Sequence, residues 1–374
     1  MPAAQLPPVV RALLDPTAYP HPVDRVELIQ THISYVFMAG DHVYKVKKPV
    51  DFGFLDFSTL AKRRYYCRQE VVLNSRLCSG TYLGVSRIRE RGSLSASGRS
   101  SITVDGVGKV IEYAVHMRRL PGKRMMDRLL QSGEVTEAMI RALAGRLAEF
   151  HDRSQTDQRV AEYGDWAIRY AWAENLRQWA DYIGDTISEE QDRILRAYGE
   201  AFFARERELL ERRVRQARIR DCHGDLRSDA VCFTDGICIY DCIDFNRRLR
   251  YTDVAGDAGF LAMDMDYRGH QELAAAFLDS YVELSGDSDL PHVIDFYKCY
   301  RACVRGKVDG FRSRAPEVPP GQRRAAVYAA RRYFELACHY AESLPPALLI
   351  ITCGLTATGK SALVRRMTEA TGIE

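Results

Sequence analysis

The residues before and after Leu120-Pro121-Gly122 follow two different periodicities, and this change constrains the fold more than any other feature. Before it, short stretches alternate apolar and polar residues with a period of two, as strands do. After it, apolar residues recur at helical spacing over long stretches such as residues 134–153. The sequence therefore predicts an α+β fold with a small antiparallel β lobe, about 25–117, and a larger helical lobe, about 118–344.

Two further segments flank these lobes. Residues 1–24 contain a short amphipathic helix and a loop with proline and histidine, so we expect an N-terminal arm rather than a core element. At the other end, Pro345-Pro346 marks a boundary before residues 345–374, where an apolar stretch precedes a turn with two glycines and a predicted helix.

Composition excludes several classes of protein. Of the 374 residues, 46% are hydrophobic, which is enough for a large core, and the net charge of only +3 gives no dense basic surface for nucleic acid. The longest apolar runs are strand-sized, so we expect no membrane partner and a cytoplasmic location. The ten cysteines form no C-x-x-C pair, which favours buried free thiols over zinc or disulfides. Nothing in the sequence indicates an oligomeric state.

The polar residues that could carry chemistry surround a predicted hairpin within the helical lobe. His223-Gly224-Asp225 precedes this hairpin, and Asp241 follows its second strand. The hairpin would bring the carboxylates of Asp225 and Asp241 close together. Phosphoryl transfer requires such a pair, because one acidic group orients the acceptor hydroxyl while another holds magnesium against the phosphates.

A second pair of residues lies in the β lobe. Lys45 ends a predicted strand and Glu70 lies in the predicted helix that follows it. A strand lysine that pairs with a helix glutamate can hold the α- and β-phosphates of a nucleotide. Taken alone, Lys45 would more simply be a solvated lysine in the basic run at 45–48.

Residues 354–361, GLTATGKS, match the P-loop pattern. In this pattern Gly354 and Gly359 shape a loop of backbone N–H groups, and Lys360 and Ser361 suit phosphates and magnesium. A complete P-loop domain needs a parallel sheet of several strands and a second acidic strand, for which too few residues follow. We therefore predict a truncated P-loop stub over 345–374.

Together these residues resemble the aminoglycoside phosphotransferase-like branch of the protein kinase-like fold, with HGDL at 223–226. More narrowly, residues 44–64 and 240–264 resemble bacterial proteins that fuse such a domain to a C-terminal P-loop kinase-like domain. The resemblance covers about residues 25–344. It implies a bilobal fold that binds ATP and Mg²⁺ between its lobes, with adenine at the connector near Met117.

The resemblance also implies roles for the four charged residues. Asp225 would be the catalytic-loop aspartate and Asp241 the magnesium ligand. Lys45 would be the phosphate lysine, with Glu70 as its helix partner.

Supporting residues follow from the same resemblance. His223 would support the catalytic loop, while Asp253 and Asp257 would brace the lobe beneath it. Asp51-Phe52-Gly53 spells a kinase motif but precedes the catalytic loop instead of following it, so we treat it as a false match.

One position departs from the family pattern H-G-D-x-x-x-x-N, whose last residue holds a second magnesium. Here that position is Ala230, which offers no side-chain ligand. The adjacent Asp229 could substitute, a single metal on Asp241 could suffice, or the site could bind nucleotide without turnover.

We therefore predict an ATP- and magnesium-dependent phosphotransferase that acts on a hydroxyl of a small molecule. The alternative is a nucleotide-binding pseudokinase or regulatory module, and a third hypothesis makes the P-loop the only active centre. The fold does not select the acceptor.

Overall fold

The structure is a computed structural model, and it describes residues 6–53, 55–91, 102–316, 318–342 and 359–371. The chain divides into two compact units, Met1–Ala341 and Glu342–Glu374. Among the described residues, no helix combines the length and the apolar composition that crossing a bilayer requires.

A six-stranded antiparallel sheet forms the first part of the larger unit. Its strands are β1 (Val26–Gln30), β2 (Ser34–Ala39), β3 (His42–Lys47), β4 (Tyr82–Glu90), β5 (Ile102–Val104) and β6 (Lys109–Arg118). They lie in the order β1-β2-β3-β6-β4-β5. β2 and β3 form a hairpin that turns at Gly40, whose φ of 62° suits a tight turn. β3 is therefore an interior strand between β2 and β6.

The N-terminal segment belongs to the core of this lobe, so the prediction of an arm outside the core is wrong. Helix α1 (Pro8–Ala12) and its flanks bury Leu6, Val10 and Leu13 in the same apolar cluster as the sheet residues Phe37 and Ile88. Val10 lies within α1 and Leu13 caps its C-terminus, while Leu6 comes before the N-cap. Together these side chains cover apolar residues of the sheet, which would otherwise be exposed to water.

Helix α2 (Leu60–Asn74) packs against β4 and β6. Thr59 is its N-cap, since the Thr59 hydroxyl accepts a hydrogen bond from the Lys62 N–H at 3.2 Å. The buried face of α2 is largely polar and includes Arg63, Glu70 and Asn74.

The remainder of the larger unit is mainly helical, as predicted. Its helices are α3 (Met126–Ser132), α4 (Glu137–Arg153), α5 (Gln158–Ala161), α6 (Gly164–Trp179), α7 (Glu189–Arg205), α8 (Arg207–Arg215), α9 (Ala255–Tyr267), α10 (Gln271–Ser285), α11 (Leu290–Arg314) and α12 (Pro320–Glu342). Two short antiparallel pairs interrupt them. β7 (Ile219–Asp221) pairs with β10 (Tyr251–Asp253), and the predicted hairpin is formed by β8 (Val231–Phe233) and β9 (Ile237–Ile239). The fold is therefore α+β, bilobal and kinase-like.

One disulfide joins the two lobes. Cys78 follows α2 and is bonded to Cys238 on β9, so the prediction of free thiols is wrong for this pair. Their separation of 160 residues carries no pairing signal in the sequence. Six other described cysteines are buried free thiols, as expected: Cys67, Cys222, Cys232, Cys242, Cys299 and Cys303.

In the smaller unit, helix α13 (Lys360–Thr371) begins directly after Gly359, whose φ is 84°. This agrees with the predicted glycine turn followed by a helix. The predicted strand at 347–353 and the loop residue Gly354 lie outside the described residues.

Candidate active site

Lys45 lies on β3 and contacts two carboxylates. Its Nζ is 2.6 Å from Asp241 Oδ1 and 2.9 Å from Glu70 Oε1. The predicted pairing of Lys45 with Glu70 is therefore present, and Asp241 lies at the same ammonium group. Asp241 is the accessible member, since 57% of its side chain is exposed.

Lys47 forms a second and more deeply buried pair of contacts. Because side chains alternate along a strand, Lys45 and Lys47 project from the same face of β3. Lys47 Nζ is 2.7 Å from Glu70 Oε2 and 2.6 Å from Asp244 Oδ2. Only 1% of the Lys47 side chain and 7% of the Asp244 side chain are exposed. Glu70 thus connects the two lysines through its two oxygens.

These five residues form a charge cluster in which three carboxylates face two ammonium groups, and Asp241 is its exposed member. Burial raises the pKa of Asp244. Lys45 instead holds the pKa of Asp241 below its usual value. The exposed Asp241 carboxylate fits a hard divalent cation, which prefers oxygen ligands.

Polar contacts fix the segment that carries the two aspartates. The Asn74 side-chain oxygen on α2 accepts a hydrogen bond from the Cys242 N–H at 2.8 Å, and the Tyr82 hydroxyl accepts one from the Asp241 N–H at 3.3 Å. Asp241 has a φ of 63°, in the left-handed region that few residues other than glycine adopt. Such backbone strain clusters at functional sites, where surrounding contacts hold it in place.

The loop that carries the predicted catalytic residue is anchored to α9. Asp257 accepts hydrogen bonds from the His223 N–H at 2.6 Å and the Gly224 N–H at 2.8 Å. His223 Nε2 lies 2.9 Å from the Tyr240 carbonyl, which can only accept, so we assign the ring hydrogen to Nε2. Burial lowers the pKa of His223, which favours the neutral ring. Asp257 braces this loop from beneath, as the resemblance implied.

Asp225 is the partly exposed carboxylate of this loop, with 36% of its side chain accessible. Its N–H lies 3.3 Å from His223 Nδ1, and its Oδ1 lies 3.5 Å from Arg227 Nε. The Tyr240 carbonyl that contacts His223 Nε2 directly precedes Asp241, and the Asp225 N–H lies on Nδ1 of the same ring. The hairpin of β8 and β9 therefore brings the two loops to the same histidine.

Asp229 and Ala230 lie at the end of the same loop. Asp229 Oδ2 accepts a hydrogen bond from Arg227 Nη1 at 2.8 Å, and burial raises the pKa of Asp229. Ala230 is buried, with 4% of its surface exposed. The backbone before these residues is held by Asp264, which accepts a hydrogen bond from the Ser228 N–H at 3.0 Å.

The other predicted bracing residue, Asp253, lies in a separate ion network. It accepts hydrogen bonds from Arg213 Nε at 2.6 Å and Nη2 at 2.7 Å, and Arg213 also donates to Asp287. All three side chains are buried. This network joins α8 to β10 and to the segment that follows α10.

A histidine, a cysteine and an aspartate beneath the loop could in principle hold a metal ion. The ligand atoms of His151, Cys222 and Asp257 lie within 4.8 Å of one another, and all three residues are buried. However, Asp257 already accepts hydrogen bonds from two backbone N–H groups and lies 3.2 Å from His151 Nε2. We therefore interpret this cluster as structural support for the loop.

Met117, the predicted adenine contact, lies near the end of β6. It pairs with Val43 on one side and Tyr82 on the other, and 9% of its surface is exposed. The next two N–H groups are engaged, because Arg118 donates to the Thr81 carbonyl and Arg119 to the Asp41 carbonyl. An adenine contact from Met117 stays a prediction.

In the segment predicted as a P-loop stub, Lys360 and Ser361 begin α13, and Ser361 is exposed. These residues belong to the smaller unit, whereas the cluster around Glu70 belongs to the larger one.

Sequence reasoning missed three residues of the charge cluster and its support. From the sequence alone, the phosphate lysine is assigned to Lys45 and the metal ligand to Asp241. Lys47, Asp244 and Asn74 are not identified there as residues of the site. The signal for Lys47 was present, since a period of two places alternate lysines of the run at 45–48 on one face. The signal for Asp244 is weaker, since the sequence shows only that it follows an apolar residue in the run at 240–245.

Residues 97–297 match the phosphotransferase enzyme family (APH), and this match spans more than half of the chain. The chain therefore belongs to this family of phosphotransferases.

Relatives by sequence include uncharacterized protein Rv2004c of Mycobacterium tuberculosis and uncharacterized protein Mb2027c of Mycobacterium bovis. Each is 32% identical over 365 residues, which is 96% of this chain and 69% of the relative.

Similar solved structures include a choline/ethanolamine kinase family protein from Mesorhizobium loti, with 10% identity, a TM-score of 0.45 and coverage of 84% of this chain and 92% of that chain. A glucosamine kinase in complex with glucosamine, ADP and inorganic phosphate shares 13% identity, with a TM-score of 0.46 and coverage of 91% and 87%.

Proposed function

We propose that the protein is an ATP- and magnesium-dependent phosphotransferase that transfers a phosphoryl group to a hydroxyl of a small molecule. Membership of the phosphotransferase family supports the reaction class. The observation that carries the proposal is the buried cluster of Lys45, Lys47, Glu70, Asp241 and Asp244, next to the loop of Asp225.

In this proposal Lys45 and Lys47 have different roles. Lys45 neutralises phosphate oxygens of ATP. It can exchange its contact with Asp241 for a contact with the phosphates, because Asp241 is exposed. Lys47 stays on Glu70 and Asp244 and holds both carboxylates in place. The pKa of Lys45 is raised because Asp241 and Glu70 outweigh the effect of burial, so its ammonium stays charged.

Magnesium would be held by Asp241, the exposed carboxylate of the cluster, while Asp244 stays on Lys47. Asp241 fits the ion, because a carboxylate is the kind of oxygen donor that Mg²⁺ prefers. When bound, magnesium neutralises charge that develops on the β- and γ-phosphates.

Asp225 would orient the acceptor hydroxyl and accept its proton. It is the accessible carboxylate of a loop fixed by Asp257, so its position is set before the substrate binds. His223 supports that geometry as a neutral ring between Tyr240 and Asp225. The chain's contribution is positioning and electrostatic stabilisation.

The alternative is a pseudokinase that binds nucleotide without turnover, and Ala230 is the observation that favours it. Asp225 opposes it, because a regulatory module has no need of an accessible carboxylate on a fixed loop. Both hypotheses share the nucleotide cluster, so only the dependence of turnover on Asp225 separates them.

The first experiment is a calorimetric titration of ATP into the full chain, with and without Mg²⁺. We expect magnesium-dependent binding that is weakened at least about tenfold in Asp241→Asn or Lys45→Met, since each removes a charged contact to the nucleotide or its metal. Lys360→Ala provides the control, because it disables the P-loop and should leave this binding in place.

Two results would contradict the proposal. Binding that is lost in Lys360→Ala but kept in Asp241→Asn would move the nucleotide site to the P-loop. ATP affinity that is the same with and without Mg²⁺ would contradict the proposed magnesium site.

A further inference from the structure

The position that holds a second metal in the family pattern has no free oxygen here. The Ala230 side chain is a methyl group, and its surroundings are closed, with 4% of the residue exposed. Its N–H donates to the Arg227 carbonyl at 2.9 Å, and its carbonyl accepts from the Tyr240 N–H at 3.0 Å. The backbone oxygen of Ala230 is therefore engaged in the hairpin and is not presented to the site.

Arg227 places a permanent cation in the same loop. Its guanidinium lies 3.5 Å from Asp225 Oδ1 through Nε and 2.8 Å from Asp229 Oδ2 through Nη1. Only 18% of the side chain is exposed. Nε is buried and, within the described part of the chain, has no acceptor in good hydrogen-bond geometry. Arg227 thus holds Asp229 firmly and keeps one donor open beside Asp225.

The contact with Arg227 also changes the role expected of Asp229. A carboxylate that accepts a hydrogen bond from arginine at 2.8 Å has one oxygen committed. The other oxygen, Asp229 Oδ1, is buried and has no hydrogen-bond partner among the described residues. A divalent ion there would lie next to a guanidinium that Asp225 also holds in place, whereas Lys45 can leave Asp241 for the phosphates of ATP. Asp229 therefore fits a partner of Arg227 better than a metal ligand.

We propose that this site uses a single divalent cation, and that Arg227 supplies beside Asp225 the positive charge that a second cation would supply. Arg227 is a positioning residue in this account, because it acts through Asp225 and its charge. The inference rests on the proposed function, since it concerns the same nucleotide site.

The direct test counts metal ions. Mn²⁺ is titrated into the full wild-type chain saturated with the non-hydrolysable analogue AMP-PNP, and bound Mn²⁺ is measured by electron paramagnetic resonance relative to bound nucleotide. We expect one Mn²⁺ per nucleotide. Two Mn²⁺ per nucleotide would overturn the inference while leaving the proposed function intact.

Variants of Arg227 give a second readout. In Arg227→Ala we expect MgADP affinity within about threefold of wild type, but hydrolysis of MgATP in water slower by about 10²-fold, because Asp225 loses the cation that positions it. Arg227→Lys should recover part of the rate, because it keeps the charge and loses the planar fork.

A matched control separates this effect from loss of loop structure. Arg268 donates to Asp264 at 3.0 Å, at the same loop but away from Asp225. Arg268→Ala should slow hydrolysis less than about tenfold. Equal rate losses in Arg227→Ala and Arg268→Ala, or a parallel loss of MgADP affinity in Arg227→Ala, would contradict the assigned role. Failure of the wild type to bind AMP-PNP would overturn the proposed function and this inference with it.

Discussion

Lys45 and Lys47 show what a single residue type in a strand can and cannot reveal. Both lysines lie on one face of β3 and share Glu70, yet one faces the exposed Asp241 and the other the buried Asp244. The period of two predicts that they share a face. It does not say which one is buried, because that depends on β6 and α2, which come later in the chain.

The two lysines should differ in their effect on stability. Lys47→Met leaves two buried carboxylates without their shared cation, so we expect the free energy of unfolding to fall by about 3–5 kcal/mol. Chemical denaturation followed by circular dichroism measures this change. Lys62→Met removes an exposed lysine from its pair with Asp56 and should leave the free energy of unfolding nearly unchanged. Equal losses in the two variants would contradict the buried position of Lys47.

Helix α2 illustrates at the scale of an element why the site was only partly predictable. Two of its apolar residues, Tyr65 and Val72, are 49% and 62% exposed. The buried face instead carries Arg63, Glu70 and Asn74, each with polar partners in other elements. Hydrophobic periodicity locates the face that packs in a core. It fails where the packed face serves a polar site.

A pair of histidines on β3 and β6, near the turn that precedes β3, predicts a pH dependence of stability. His116 on β6 lies 2.9 Å from His42 through ring nitrogens and stacks on Tyr44 at 4.5 Å between ring centroids. Burial, assisted by His42, lowers the pKa of His116 to about 4. The unfolded chain, with an ordinary histidine pKa near 6.5, therefore binds more protons between those values. Stability should fall as pH drops from about 6.5 towards 4.

Thermal unfolding at pH 7.5, 6.5 and 5.5 tests this expectation. The wild type should lose more stability over this range than His116→Gln, because glutamine keeps a polar side chain that does not titrate. A wild type whose pH dependence matches that of the variant would contradict the assignment.

At the scale of the whole molecule, the change of periodicity near Leu120 correctly predicted two lobes of different class. The pattern could not show that the N-terminal segment closes the core of the small lobe. A short apolar helix has the same sequence pattern whether it packs on a sheet or lies free in solvent. Its burial depends on whether a sheet face is available for it to cover. The resemblance to kinase-like proteins, which the family match confirms in its coarser form, supplied most of the assignment of the site.

The buried N-terminal segment predicts a large cost for Leu13→Ala. Leu13 is 1% exposed in the core of the small lobe, so the variant should lose about 2–5 kcal/mol of unfolding free energy through lost burial and a cavity. Leu83, which is 42% exposed, offers a control, and Leu83→Ala should change stability by about 0.5 kcal/mol or less. A Leu13→Ala variant as stable as Leu83→Ala would mean that the segment is an arm after all.

The link between Cys78 and Cys238 predicts a thiol count. Titration of the denatured chain should find two fewer reactive thiols without reductant than with it, in protein purified without reducing agents. Cys78→Ser should abolish the difference. Equal counts before and after reduction of the wild type would contradict the disulfide.

The central claim is that Asp225 acts on an acceptor at a nucleotide site built around Glu70. The most direct test measures ADP release from MgATP, with water as the acceptor, in the wild type and in Asp225→Asn, alongside calorimetric affinity for MgATP. Our account predicts a rate at least about 10²-fold lower in the variant, with an affinity within about threefold of wild type. Wild-type and variant rates that are equal, or an affinity lost together with the rate, would contradict it.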